Sequence, residues 1–366
     1  MAGNFYFGWF LYNIICIGLL VNQYRQIKNN QIKGFIALLS LLFFILALFG
    51  NAISPDYWPY RNLVDLIART QHPTTHVEDI YVWLIHRIGD NFNLYQLIIY
   101  FPQFLIFYII TIALSSKKII LYLYCFSIIG LYPSIVGRFF LFNVVLILGV
   151  ISIGCNHKIT GIILIIASSF LHKLGLFLAP ITLLILIFPF CPQKRYLLIV
   201  LCVFVVLSLT VRYIIENYFM YLFETLDGVQ GSNYVAKEEG YNSGGNFMWQ
   251  IIYIYQHLTT ILLSFYVLCK LRGFFNSFTL CDKLIYKMLF WLTVIGTFYF
   301  SLGLPDITIG SRIITVAIIP LSYIISIYSN YRKIFRYQKY IYIMWGIFYL
   351  MFNNAYIIGV SHMNFR

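Results

Sequence analysis

Charge is scarce in this chain. Asp, Glu, Lys and Arg make up 10% of its 366 residues, while 61% are hydrophobic. Soluble domains carry about 25% charged residues, so a water-soluble fold is excluded and a polytopic membrane protein is indicated. Acids are the scarcest, 12 against 25 Lys and Arg, leaving a formal net charge of +13. Such a surplus can signal nucleic acid only when the bases gather on one soluble face; here they are spread over loops, and no nucleic-acid partner is expected. The seven cysteines (Cys16, Cys125, Cys155, Cys191, Cys202, Cys269, Cys281) include no CxxC pair, which argues against a disulfide framework or a zinc site. No HExxH-like spacing occurs, so neither a metal nor a cofactor is expected. No charge falls between Met1 and Asn13, where a signal peptide would be basic, so the first helix is expected to be retained. No internal repeat is evident.

Long apolar windows supply the organisation. They fall at residues 5–21, 34–52, 94–114, 119–132, 139–154, 159–171, 174–190, 196–215, 249–269, 284–303, 313–328 and 340–358. This pattern predicts an all-α, polytopic integral membrane protein of about twelve transmembrane helices forming one domain over residues 1–366. Alternating the loops puts Arg25, Lys28, Lys33, Lys117, Lys118, Lys158, Lys194, Arg195, Lys270, Arg272, Lys283, Lys287, Arg332, Lys333, Arg336 and Lys339 on one face, with Asp282 as its one acid. By the positive-inside rule that face is cytoplasmic and both termini are extracytoplasmic.

The run at 159–190 is interrupted only by His172-Lys173. One helix of that length would reach roughly 48 Å, against a hydrocarbon core of roughly 30 Å, so a short central hairpin with its tip at His172-Lys173 is predicted. Basic residues at both ends, Lys158 and Lys194-Arg195, agree with that. The first arm spans roughly 20 Å, which would leave His172 recessed below the far surface. Ionisable groups at such a depth are functional-site candidates; the alternative is that Lys173 snorkels to headgroups while His172 bonds a backbone carbonyl.

Two longer loops, about 53–93 and 216–248, fall on the outer face. In the first, Ser54-Pro55-Asp56 is a helix-start pattern, and Val77, Ile80, Tyr81, Leu84, Ile85 and Ile88 follow i, i+3, i+4 spacing. An amphipathic helix at the membrane interface is predicted there, with Thr75 and Glu78 forming a capping box. The second holds Glu224, Asp227, Glu238 and Glu239 before Gly240-Tyr241-Asn242-Ser243-Gly244-Gly245; a lid and an ordinary solvated linker are both open readings.

Cations near membrane ends on the outer side run against the positive-inside bias: Arg138, His172, Lys173 and Arg312. Arg138 and Arg312 each precede an apolar window, where exposed helix amides favour an anion. Together these four groups would suit a phosphorylated lipid headgroup, with headgroup snorkelling as the other reading. Displacing a diphosphate from a sugar's anomeric carbon needs charge stabilisation at the leaving group and a base for the attacking hydroxyl, roles that arginines and an unprotonated histidine can fill, so His172 is a candidate general base or positioning group.

The order of these pieces resembles the EpsG family of bacterial polysaccharide polymerases, related in role to Wzy-type O-antigen polymerases. Asp56-Tyr57 with Tyr60, then Glu78, Arg138, His172 and Arg312 stand where that family carries an early Asp-Tyr and Tyr, an acid opening a helix, an Arg-Gln, a His before a small residue, and a late Arg. Phe139 replaces the Gln, and Lys173-Leu174-Gly175 follows the His. The resemblance implies a membrane glycosyltransferase, of GT-C-like architecture, in the bacterial inner membrane. It would polymerise undecaprenyl-diphosphate-linked oligosaccharide repeat units into O-antigen or related lipopolysaccharide-type surface polysaccharide on the periplasmic side, where both termini would lie. His172, Arg138 and Arg312 would be catalytic; Lys173, Asp56, Tyr57, Tyr60, Arg61 and Glu78 would contact substrate. The bilayer, the lipid-linked glycan and a chain-length regulator are the expected partners. A flippase or transporter of the same lipid-linked glycan, and a membrane acyltransferase modifying the glycan, are the alternatives.

Overall fold

The computed structural model describes residues 57–70, 79–114, 137–187, 194–214, 247–302 and 307–330. The helices expected at 5–21, 34–52, 119–132 and 340–358, together with Asp56, Glu78 and nearly all of the loop expected at 216–248, lie outside them. Among the described residues the regular structure is entirely helical. The helices are α1 (Tyr57–Arg69), α2 (Asp79–Ile88), α3 (Phe92–Leu114), α4 (Gly137–Gly154), α5 (Lys158–Ser168), α6 (Lys173–Ile187), α7 (Lys194–Ile214), α8 (Phe247–Leu271), α9 (Leu280–Leu302) and α10 (Ile307–Asn330). A 3-10 turn, Arg272–Ser277, separates α8 from α9. The chain divides into two compact units: Met1–Ile187 with Thr279–Ile285 and Ser322–Arg366, and Phe188–Phe278 with Tyr286–Leu321.

In the first unit, helices α1 to α3 meet on a shared apolar face. Val64 and Ile67 of α1 pack with Tyr81, Val82 and Ile85 of α2 and with Phe92, Tyr95 and Ile99 of α3. The amphipathic helix expected around residues 77–88 is present as α2, but its buried face is Tyr81, Val82 and Ile85, and Ile80 and Trp83 are exposed. Leu84 and Ile88 of the expected face also pack against this core, so among its described positions Ile80 is the exposed one, and the face is covered by α1 and α3, where the sequence pattern assumed a lipid interface. Asp79 in the first turn of α2 and His86 and Arg87 in its last complement the helix dipole. At the end of α2, Gly89 takes a left-handed φ of +68° and donates its amide to the Ile85 carbonyl at 2.8 Å. Asn91 then caps α3, its side-chain oxygen accepting the Leu94 amide at 3.1 Å.

Helices α4 and α5 form a close antiparallel pair around a short turn in which Asn156 has φ +68°. Two glycines set the approach. A methyl on Gly161 would lie 2.6 Å from the Gly149 carbonyl oxygen, and one on Gly149 would lie 2.9 Å from the Gly161 oxygen. Small residues let helix backbones come this near where lipid supplies no hydrophobic drive to associate. The pairing direction, Gly149 against Ile165 and Ile153 against Gly161, returns the end of α5 to the start of α4.

The run at 159–190 does break where His172-Lys173 predicted. Amides of Ser169, Phe170 and Leu171 donate to the carbonyls of Ile166, Ala167 and Ser168, closing α5 with a tight turn before α6 begins at Lys173. At 11 and 15 residues, α5 and α6 are about 16 and 22 Å long, each shorter than a hydrocarbon core of about 30 Å.

The start of α9 belongs to the first unit. Thr279 and Asp282 form a reciprocal capping box, each backbone amide donating to the other's side chain at 3.2 Å, and the Tyr323 hydroxyl also donates to Asp282. In the second unit Tyr286 donates its hydroxyl to the Leu268 carbonyl at 2.8 Å, and Gly296 lets Ile314 approach α9.

One described stretch, His257–Ser277, is long and apolar enough to cross a membrane; Phe92–Ile106, Arg138–Gly154, Lys158–Leu171, Lys173–Ile187 and Arg312–Ile325 are apolar and shorter. Large aliphatic side chains stand exposed along α5, α6 and α7, among them Ile159, Ile163, Leu176, Leu184, Val203 and Val206. Serines and threonines within the helices turn inward on their own ladder: Ser152, Ser208, Ser264, Thr293 and Thr297 donate to carbonyls three or four residues back. That combination suits a lipid environment, where a side-chain hydroxyl has no water to bond.

Candidate functional site

The α4/α5 pair brings two of the predicted residues to one end of the first unit. Arg138 is the second residue of α4, half-buried, and its guanidinium carbon lies 5.2 Å from the centre of the Tyr81 ring. His172 sits in the turn after α5. Its ring meets Phe139 edge-on at 5.4 Å and lies nearly parallel to Phe142 at 6.0 Å. Phe139, standing where the family has Gln, is therefore a ring contact of the histidine. Aromatic contacts of this kind contribute about 0.5–1.5 kcal/mol beyond the area they bury.

His172 also caps α6. The Leu174 amide donates to its Nδ1 at 3.1 Å, and the Gly175 amide donates to the His172 carbonyl at 2.7 Å. An accepting Nδ1 places the proton of the neutral ring on Nε2. In this tautomer His172 offers an N–H donor, and taking a proton at Nδ1 would break the cap. The amide contact at Nδ1 is one that the sequence readings of His172 did not include. Lys173, exposed, opens α6 directly beside it.

Gly175 is what lets the turn close. A methyl there would lie 2.6 Å from the Ser168 carbonyl oxygen, 2.9 Å from the Ser169 Cα and 3.1 Å from the Phe142 ring.

Tyr81 completes the cluster and was missed as a site residue, because its spacing counted it among the apolar positions of α2. Only 2% exposed, it donates its hydroxyl to the Leu171 carbonyl at 2.8 Å, one residue before His172. The available signal was a phenol among Val, Ile and Leu, since a buried Tyr hydroxyl usually finds a partner.

Arg312 behaves differently. It is exposed and belongs to the second unit. It does not open its helix: α10 begins at Ile307, so Arg312 lies in the second turn, past the first-turn amides that the sequence boundary had assigned to it. Arg61 is exposed on α1 in the first unit; Tyr57 and Tyr60 lie in the first turn of that helix. His257, fully buried in α8, was not singled out by the sequence. Among the described residues no group of three or more His, Cys, Asp or Glu side chains converges.

A guanidinium at the start of α4, an imidazole N–H and an ammonium at the start of α6 form a cationic, donor-rich end on two helix N-termini, the chemistry that holds oxyanions. The model of the EpsG family matches residues 35–365, which includes every described element. The chain belongs to the EpsG family. Members of that family are Wzy-like polymerases, so this is a polysaccharide-polymerase-like membrane protein of glycosyltransferase type. No curated protein and no solved structure matches the chain.

Proposed function

We propose that this EpsG-family protein polymerises undecaprenyl-diphosphate-linked oligosaccharide repeat units into O-antigen or a related surface polysaccharide, at the periplasmic face of the bacterial inner membrane. In this reading the chain is one multi-pass domain of about twelve spans, and both termini are periplasmic. The observation that carries the proposal is that Arg138, at the start of α4, and the adjacent pair His172-Lys173, at the start of α6, are linked through Tyr81 at one end of a chain whose family polymerises glycans.

The reaction joins an acceptor sugar hydroxyl to the anomeric carbon of the growing glycan. The new glycosidic C–O bond forms as the anomeric bond to the lipid diphosphate breaks; the electron pair leaves with the diphosphate and the hydroxyl proton passes to water. Most of the barrier lies in stabilising charge that develops on the departing diphosphate. Arg138 and the His172 Nε2–H would contact its oxygens and Lys173 would add positive charge; Arg312 is retained as a catalytic residue on the family resemblance alone. Asp56, Tyr57, Tyr60, Arg61 and Glu78 would hold the acceptor sugar. A chain-length regulator would act with the enzyme.

The test is a gel profile of surface polysaccharide from cells carrying wild type, His172→Ala, Arg138→Ala or Arg312→Ala at matched membrane levels. Collapse of the ladder to single repeat units in the variants is expected. An intact ladder in cells lacking the protein would overturn the polymerase reading.

A further inference from the structure

Tyr81 touches both halves of the cationic end. Its ring faces the Arg138 guanidinium at 5.2 Å, and its hydroxyl donates to the Leu171 carbonyl at 2.8 Å, across 90 residues of sequence. It is rooted in the α1–α3 apolar cluster through Val82, Ile85 and Tyr95 as neighbours in the same core. Phenylalanine would fill that core space equally well, so the hydroxyl serves something other than packing. The carbonyl it holds belongs to the turn joining α5 to α6, and the next residue is the histidine whose Nδ1 caps α6.

We propose that Tyr81 is a positioning residue of the glycosyl transfer: its ring sets the Arg138 guanidinium and its hydroxyl sets the turn that aims His172. The inference rests on the polymerase reading of this same site. The two roles are separable within one side chain. The face of the ring attracts the cation through its quadrupole, which phenylalanine retains. The hydroxyl fixes the backbone beside the histidine, which phenylalanine cannot do. A guanidinium held over a ring binds an anion before and during reaction, whereas aim at the leaving oxygen matters most as charge develops; ground-state affinity and turnover should therefore respond differently to the two losses.

The experiment uses the full chain in lipid nanodiscs, as wild type, Tyr81→Phe and Tyr81→Leu. It measures binding of undecaprenyl diphosphate as the probe, turnover at saturating lipid-linked repeat units extracted from cells lacking the polymerase, and thermal unfolding. Tyr81→Phe is expected to bind the probe within about twofold of wild type while kcat falls about five- to tenfold. Tyr81→Leu is expected to lower kcat likewise and also to weaken probe binding about fivefold. Unchanged kcat in Tyr81→Phe would overturn the proposal, as would parallel losses of binding, turnover and folded protein in both variants, the pattern of a merely structural tyrosine. Wild type that binds the probe but joins no repeat units would instead overturn the polymerase reading. In that event probe binding still judges the Arg138 half of the proposal, which fails if Tyr81→Leu binds like wild type.

Discussion

Gly175→Ala sets two physical effects of opposite sign against each other. Gly175 is the third residue of α6, and alanine is favoured over glycine in a helix by about 0.8–1.0 kcal/mol. Propensity alone therefore predicts a more stable protein. The structure predicts otherwise, because the added methyl would stand 2.6 Å from the Ser168 carbonyl oxygen, where ordinary contact begins at 3.4 Å. The obstruction is backbone, with the Ser169 Cα at 2.9 Å behind it, so no side-chain rotation relieves it. Overpacking of this kind costs about 1–3 kcal/mol, which matches or exceeds the propensity gain. Net stability should consequently fall by about 0–2 kcal/mol.

The larger effect should be on activity. The cheapest relief moves the turn at residues 169–172 away from α6 by several tenths of an ångström, which carries His172 out of its place beside Phe139 and Phe142. Displacement of about 1 Å in a reacting constellation can cost about 100-fold in rate. The expected result is a large loss of polymer in the ladder assay and in purified turnover, with a thermal midpoint near wild type. Gly273→Ala is the control, since nothing lies within 4 Å of the position a methyl would occupy there. Wild-type turnover in Gly175→Ala, together with a raised thermal midpoint, would refute the packing argument and leave helix propensity as the stronger effect.

Gly161→Val should separate α4 from α5, because its side chain would enter the space of the Gly149 carbonyl; loss of thermal stability by about 1–3 kcal/mol and of turnover together, read by unfolding and polymer assays, is expected. Gly89→Ala meets open space but keeps φ +68°, so only backbone strain is added, and unfolding should show a loss of about 1–2 kcal/mol with polymerisation unaffected. Asp282→Ala removes a capping-box acceptor and the partner of the Tyr323 hydroxyl at once; hydrogen exchange should show fraying at the start of α9, and stability should fall by about 1–3 kcal/mol.

The sequence by itself determined that the described chain would be helical, because apolar runs with so little charge leave backbone groups no partner in lipid except one another. It also located the break at His172, since a polar pair inside a run too long for one span is costly unless the helix ends there. The start of α4 at Gly137-Arg138 and the order of pieces that marks the EpsG family were legible for the same local reasons. Sequence reasoning failed where distant segments meet. It began the last described helix at residue 313, where the apolar window opens, yet the isolated Gly310 costs only about 1 kcal/mol and the helix runs back to Ile307. It assigned Tyr81 to an apolar stripe, since nothing near residue 81 reveals a carbonyl 90 positions away. Only the tertiary structure chose the Gly149–Gly161 crossing, returned the turn at His172 to the start of α4, and turned the histidine's Nδ1 onto a backbone amide. Those outcomes depend on which backbones can approach and which hydrogen bonds then close, and neither is written in any single stretch of the chain.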